Sequence, residues 1–115
     1  MLTIDAGSSI GNAGTLQANG GELDLTNDTL TNTNALRAIN NSLLALAGTT
    51  VINTGGAITV AAGSTLALNG GDNITDGTLT NSGEVNARGT NGLHHGTGHY
   101  FDLAWLDHSG AGSII

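Results

Sequence analysis

The sequence predicts an all-β fold: a parallel β-solenoid, a three-sided β-helix whose coils each take about 20–22 positions. Three observations predict it. Apolar residues recur in columns that share one drifting period. Turn formers separate them every six or seven positions. The composition also lacks what a stacked ladder tolerates badly.

The columns come first, because a fixed period of this length is the signature of a solenoid. Ile4, Leu25, Leu46 and Leu68 step by 21, 21 and 22. Leu2, Leu23, Leu44, Leu66 and Val85 step by 21, 21, 22 and 19. Ile10, Leu30, Val51 and Ile74 step by 20, 21 and 23, and Leu16, Leu36, Ile58 and Leu79 by 20, 22 and 21. These columns are the expected core. Register is open near the end: Asn81-Ser82-Gly83-Glu84-Val85 aligns with Asn53 to Ile58 as well as Asp76-Gly77-Thr78-Leu79 does.

Between the apolar positions sit corners such as Asn19-Gly20-Gly21, Asn40-Asn41, Asn53-Thr54-Gly55-Gly56 and Asn69-Gly70-Gly71. Gly, Asn and Asp tolerate the positive φ that tight corners use. The pieces between them, such as Leu23-Asp24-Leu25 and Leu66-Ala67-Leu68, alternate as strands do. Residues 1–88 therefore read as roughly four coils, stacked at about 4.8 Å per coil.

The composition agrees. There is no Pro, so no ladder N–H is lost, and only 10% of residues are charged, which limits like-charge stacking between coils. The formal charge is −7, with Arg37 and Arg88 the only basic side chains besides histidine. That excludes nucleic-acid binding, which needs a basic face, and attraction to anionic membranes. No apolar run approaches the ~20 residues of a membrane span, so no membrane insertion is expected. Without Cys there is no disulfide framework and no thiolate metal site. Met1 to Asp5 carries no signal-peptide pattern.

One column is polar. Asn12, Asn32, Asn53 and Asp76 recur just before the third apolar column. Stacked Asn side chains form an amide ladder, and the Asp at the last step is expected to interrupt or cap it.

Phrases such as Ala62-Gly63-Ser64-Thr65-Leu66-Ala67-Leu68-Asn69-Gly70-Gly71 and Gly77-Thr78-Leu79-Thr80-Asn81-Ser82-Gly83-Glu84-Val85-Asn86 resemble the degenerate repeats of large bacterial secreted adhesins. Filamentous-haemagglutinin-type exoproteins, autotransporter passengers and VCBS-like repeat proteins carry similar repeats. The resemblance covers residues 2 to about 88. It implies a secreted or cell-surface location and a structural or adhesive role. Those families are very long, so a chain of this length is expected to be a piece of an exported protein or a subunit whose coils stack.

Residues 89–115 change character. They hold His94, His95, His99, His108 and all three aromatics. The segment from His99 to His108 reads either as a short helix with Phe101 and Trp105 at i, i+4 or as an irregular strand. Tyr100, Phe101, Trp105 and Leu106 suit a cap over the open end of the stack, or an interface with another subunit. A third reading is zinc on His94, His95 and His99, at H-x₃₋₄-H spacing.

Other motifs carry less. Gly70-Gly71-Asp72-Asn73-Ile74-Thr75-Asp76-Gly77 is an imperfect single copy of a calcium nonapeptide, and a turn explains it. Thr29-Leu30-Thr31 and Thr78-Leu79-Thr80 have ice-binding T-x-T spacing, but Leu30 and Leu79 fall in different columns. Asp24 and Asp28 are the nearest thing to a glycosidase pair, which needs two carboxylates ~5–10 Å apart. No aromatic platform lies near them.

The sequence thus points to a non-enzymatic, exported solenoid without a required cofactor. Its expected partners are itself, or a host or matrix glycan or protein. The alternatives are a filament subunit stacking coil end to coil end, and a fragment of a carbohydrate-binding or carbohydrate-cleaving β-helix.

Overall fold

Short alternating segments cannot pair with their sequence neighbours here, because each corner turns the chain onto a new face. They pair instead with the segment one coil away. The computed structural model describes residues 2–5, 7, 9–94, 100–101, 106–109 and 112–114. In the first coil the strands are β1 (Leu2–Ile4), β2 (Ser9–Asn12) and β3 (Thr15–Asn19). The second has β4 (Glu22–Thr26), β5 (Thr29–Asn32) and β6 (Ala35–Ile39), and the third β7 (Leu43–Ala47), β8 (Thr50–Ile52) and β9 (Ala57–Val60). The fourth has β10 (Thr65–Leu68), β11 (Asp72–Thr75) and β12 (Thr78–Asn81). Then follow β13 (Glu84–Arg88), β14 (Asn91–His94), β15 (Tyr100–Phe101), β16 (Leu106–Ser109) and β17 (Gly112–Ile114).

The pairings are parallel and join strands three apart in the chain. Face A is β1-β4-β7-β10-β13-β16, face B is β2-β5-β8-β11-β14-β17 and face C is β3-β6-β9-β12-β15. This is the three-sided parallel solenoid. The register puts Leu2 beside Leu23, Leu44 beside Leu66, Leu30 beside Val51 and Leu36 beside Ile58. It also resolves the ambiguous stretch at residues 76–85. Thr78 pairs with Ala57 and Leu79 with Ile58, while Val85 pairs with Leu66.

The inward residues form the core. Leu25, Leu46, Leu68, Leu30, Val51, Ile74, Leu36, Ile58 and Leu79 are fully buried. Each such side chain contributes about 1.5–3 kcal/mol from leaving water. Ile4, Ile10 and Leu16, in the first coil, are only half-buried, because no described coil lies below them.

The drift in the repeat period has a local cause. From the Asn column to the first residue of the face C strand is three positions in coils one and two, four in coil three and two in coil four. Insertions and deletions are absorbed in the corners, so the strands stay in register. Asn27, Asn40, Asn41 and Asp76 take left-handed φ values of 54°, 57°, 58° and 63° at such corners.

The repeat phrasing stops near residue 88, but the sheets run on. β14 pairs with β11, β15 with β12, β16 with β13 and β17 with β14. Phe101 follows Leu79 in the face C column and is 9% exposed. Leu106 stands beside Val85. Of the two expectations for this segment, strands are found at Tyr100–Phe101 and Leu106–Ser109 in place of the helix. Trp105 lies outside the described residues.

Candidate functional site

A solenoid built on this sequence has three kinds of surface with chemistry: corners, flat faces and the open first coil. The corner from face B to face C carries the Asn column. The Asn12 amide N–H donates to Asn32 Oδ1 at 2.9 Å, and Asn32 donates to Asn53 Oδ1 at 2.8 Å. Asn12 and Asn32 also donate to the Ala35 and Ala57 carbonyls one coil on. Asn32 and Asn53 are fully buried. The ladder ends at Asp76. Asn53 donates instead to the backbone carbonyls of Asp76 and Thr78, while Asp76 Oδ2 accepts from the Thr54 hydroxyl at 3.2 Å. A carboxylate has no N–H to pass on, so the chain of amides stops there.

A second polar corner, from face A to face B, has no counterpart in the sequence pattern. Asp28, Thr49, Asp72 and Asn91 share one seat in successive coils. Gly7 N–H donates to Asp28 Oδ1, Thr49 N–H to Asp72 Oδ1 and Asp72 N–H to Asn91 Oδ1. Asp28, Asp72 and Asn91 thus each reach back to a backbone amide of the coil below. Thr49 Oγ1 donates to the Leu25 carbonyl and Asn91 Nδ2 to the Leu68 and Arg88 carbonyls. The third corner, from face C to face A, uses Ser42 and Ser64 in the same way: Ser42 N–H donates to Ser64 Oγ at 3.1 Å.

The acidic residues separate by surface. Asp28 is buried in its corner, whereas Asp24 points outward on face A beside Glu22. Asp24 therefore stands on face A and Asp28 in the corner that follows it. Glu22 and Asp24 do share one. A hydrogen bond to Asp24 raises the Glu22 carboxyl above its usual range, helped by partial burial and by the Asp24 charge. Asp72 and Asp76, the acids of the calcium-like phrase, sit in different corners. Leu30 lies on face B and Leu79 on face C, so the two T-x-T segments present their Thr residues on different faces.

His94 ends β14, half-buried, beside a groove of about 460 Å³ lined also by Gly71, Asp72, Asn73, Thr90 and Asn91. His95 and His99 lie outside the described residues, and of His108 the structure gives the strand position opposite Ala87. Among the described residues no three His, Asp or Glu come together in a way that would hold a metal ion.

Among the described residues the open first coil is the main exposed apolar feature. Leu2 is 60% exposed, although the next two members of its column, Leu23 and Leu44, are 2% and 0% exposed. Strands β1, β2 and β3 each end a sheet, and none carries Pro or a charged residue.

The chain matches no protein-family model, no curated protein and no solved structure.

Proposed function

We propose that the chain is a structural module of a secreted or cell-surface bacterial protein, a rigid β-solenoid spacer with an adhesive or self-associating role. The observation that carries this reading is where its polar groups point. Asn12, Asn32, Asn53, Thr49, Ser42 and Asn91 hydrogen-bond between coils and not toward an open site. Such a stack resists bending, because backbone ladders on three faces run along its length.

One observation favours a second reading, end-to-end stacking into filaments. The first coil exposes Leu2 and three strand edges that lack the charges or Pro with which edges are usually guarded. Electron microscopy with light scattering separates the two. Monodisperse particles with the mass of a single chain support the spacer. Filaments or stacked oligomers that dissolve in Leu2→Glu support stacking. A third outcome opposes both: a thermal shift with one glycan of a panel, lost in Asp24→Asn, would make carbohydrate recognition the function.

A further inference from the structure

The corner from face A to face B contains a position where the chemistry is incomplete. Thr49 and Asn91, one coil below and one above Asp72, each donate a hydrogen to a backbone carbonyl of the coil below. Thr49 donates to Leu25 and Asn91 to Leu68. In the register of face A, Leu25, Leu46 and Leu68 are successive members of one column. The carbonyl that corresponds for Asp72 is that of Leu46. Asp72 accepts from Thr49 N–H through Oδ1 at 2.8 Å, but its Oδ2 is buried and makes no hydrogen bond. The residue is 1% exposed. A carboxylate has nothing to donate here; a carboxylic acid does.

We propose that Asp72 is a pH-sensitive latch between the third, fourth and fifth coils, closed when its carboxyl is protonated and donates from Oδ2 to the backbone of the coil below. Burial supports this by pushing the carboxyl up to about 6, against the N–H groups of Thr49, Gly70 and Asn69, which favour the charged form. The sign follows from linkage. The raised group binds its proton more readily folded than unfolded, so the stack gains stability as pH falls through about 6, and the gain is complete below the ordinary value of 3.8. Above about 6 the charge is buried and that stability is lost.

Other described charges near this corner are few. β14 brings His94 to the same groove, Arg88 ends β13, Asp76 follows β11, and Asp28 occupies the same seat two coils below. β7, β8 and β10 bring none. Glu22, on face A, is also raised and acts in the same direction.

The test is thermal and urea unfolding of the full chain from pH 5 to pH 8, beside Asp72→Asn and His94→Gln. An Asn at this seat keeps the acceptor for Thr49 N–H and adds the missing donor, as Asn91 does one coil on. In the wild type the folding equilibrium constant should fall roughly tenfold between pH 5 and pH 8, the ratio that linkage sets for a carboxyl raised to this extent. Asp72→Asn should unfold at a higher temperature than the wild type at pH 8, with most of that slope gone. His94→Gln is the control, because histidines as a class change charge in this range; the slope should survive it. Carboxyl NMR should place the Asp72 midpoint near 6. A slope that survives Asp72→Asn or disappears in His94→Gln overturns the latch. So does an Asp72→Asn chain that is less stable at pH 8.

Discussion

At the corner between faces B and C, Asn12, Asn32 and Asn53 pass one hydrogen bond from coil to coil with the same side chain each time. At the corner between faces A and B the seat is held by Asp28, Thr49, Asp72 and Asn91, and no two neighbours match. Both corners do the same physical job. A chain turning between faces leaves an amide or carbonyl outside the ladder, and a buried backbone group without a partner is costly. The first corner meets that demand by repeating a residue that both donates and accepts. The second meets it by rotating through residues that share only a reach and an oxygen. Repetition in a solenoid is thus a repetition of hydrogen-bond roles, of which repeated letters are one case.

The regular corner should be the less tolerant of the two, since each Asn depends on the next. Asn32 is fully buried and bonded on both sides. Asn32→Ala removes its bond to Asn53 and leaves Asn53 Oδ1 without its donor. It should cost about 3 kcal/mol in urea unfolding. A loss under about 1 kcal/mol would show that the ladder adds no more than one ordinary hydrogen bond.

The same corner is also sterically closed. A Cβ on Gly56 would press on the Asn32 carbonyl oxygen and stand 2.5 Å from Asn53 Oδ1. Both are held by the ladder and have little room to move. Gly56→Ala should destabilise by about 2 kcal/mol through overpacking, while Gly21→Ala, where nothing lies within 4 Å, should change little. Equal changes at the two glycines would mean that the clash does not set the cost.

How much of this can be read in the sequence follows the same division. Columns such as Leu25-Leu46-Leu68 are legible because inward positions must be apolar and so advertise the period. The Asn column is legible because its letter repeats. The Asp28-Thr49-Asp72-Asn91 corner is not, because a hydroxyl, a carboxyl and an amide look unrelated until their hydrogen-bond partners are seen. The strands after residue 88 are hidden for a similar reason. In backbone register Leu93 follows Ile74, Phe101 follows Leu79, Leu106 follows Val85 and Ile114 follows Leu93, at steps of 19, 22, 21 and 21. Gly- and His-rich stretches between them mask the period.

The smallest expected effect is at Asn12, and it tests whether the first coil differs from the middle ones at all. Asn12 donates like its neighbours, to Asn32 and to the Ala35 carbonyl, but it is half-buried and has no described coil below to bond its own oxygen. Water can replace its contacts. Asn12→Ala should therefore cost only about 0.5–1 kcal/mol, against about 3 kcal/mol for Asn32→Ala. The measurement is the pair of urea midpoints at two protein concentrations a hundredfold apart. If the Asn12 loss stays small at both, the first coil is a solvated end. If it grows toward the Asn32 value only in the concentrated sample, something covers that coil when chains meet. Because Leu2, Ile4 and Ile10 lie in the same open coil, another copy of the solenoid would then be the covering partner.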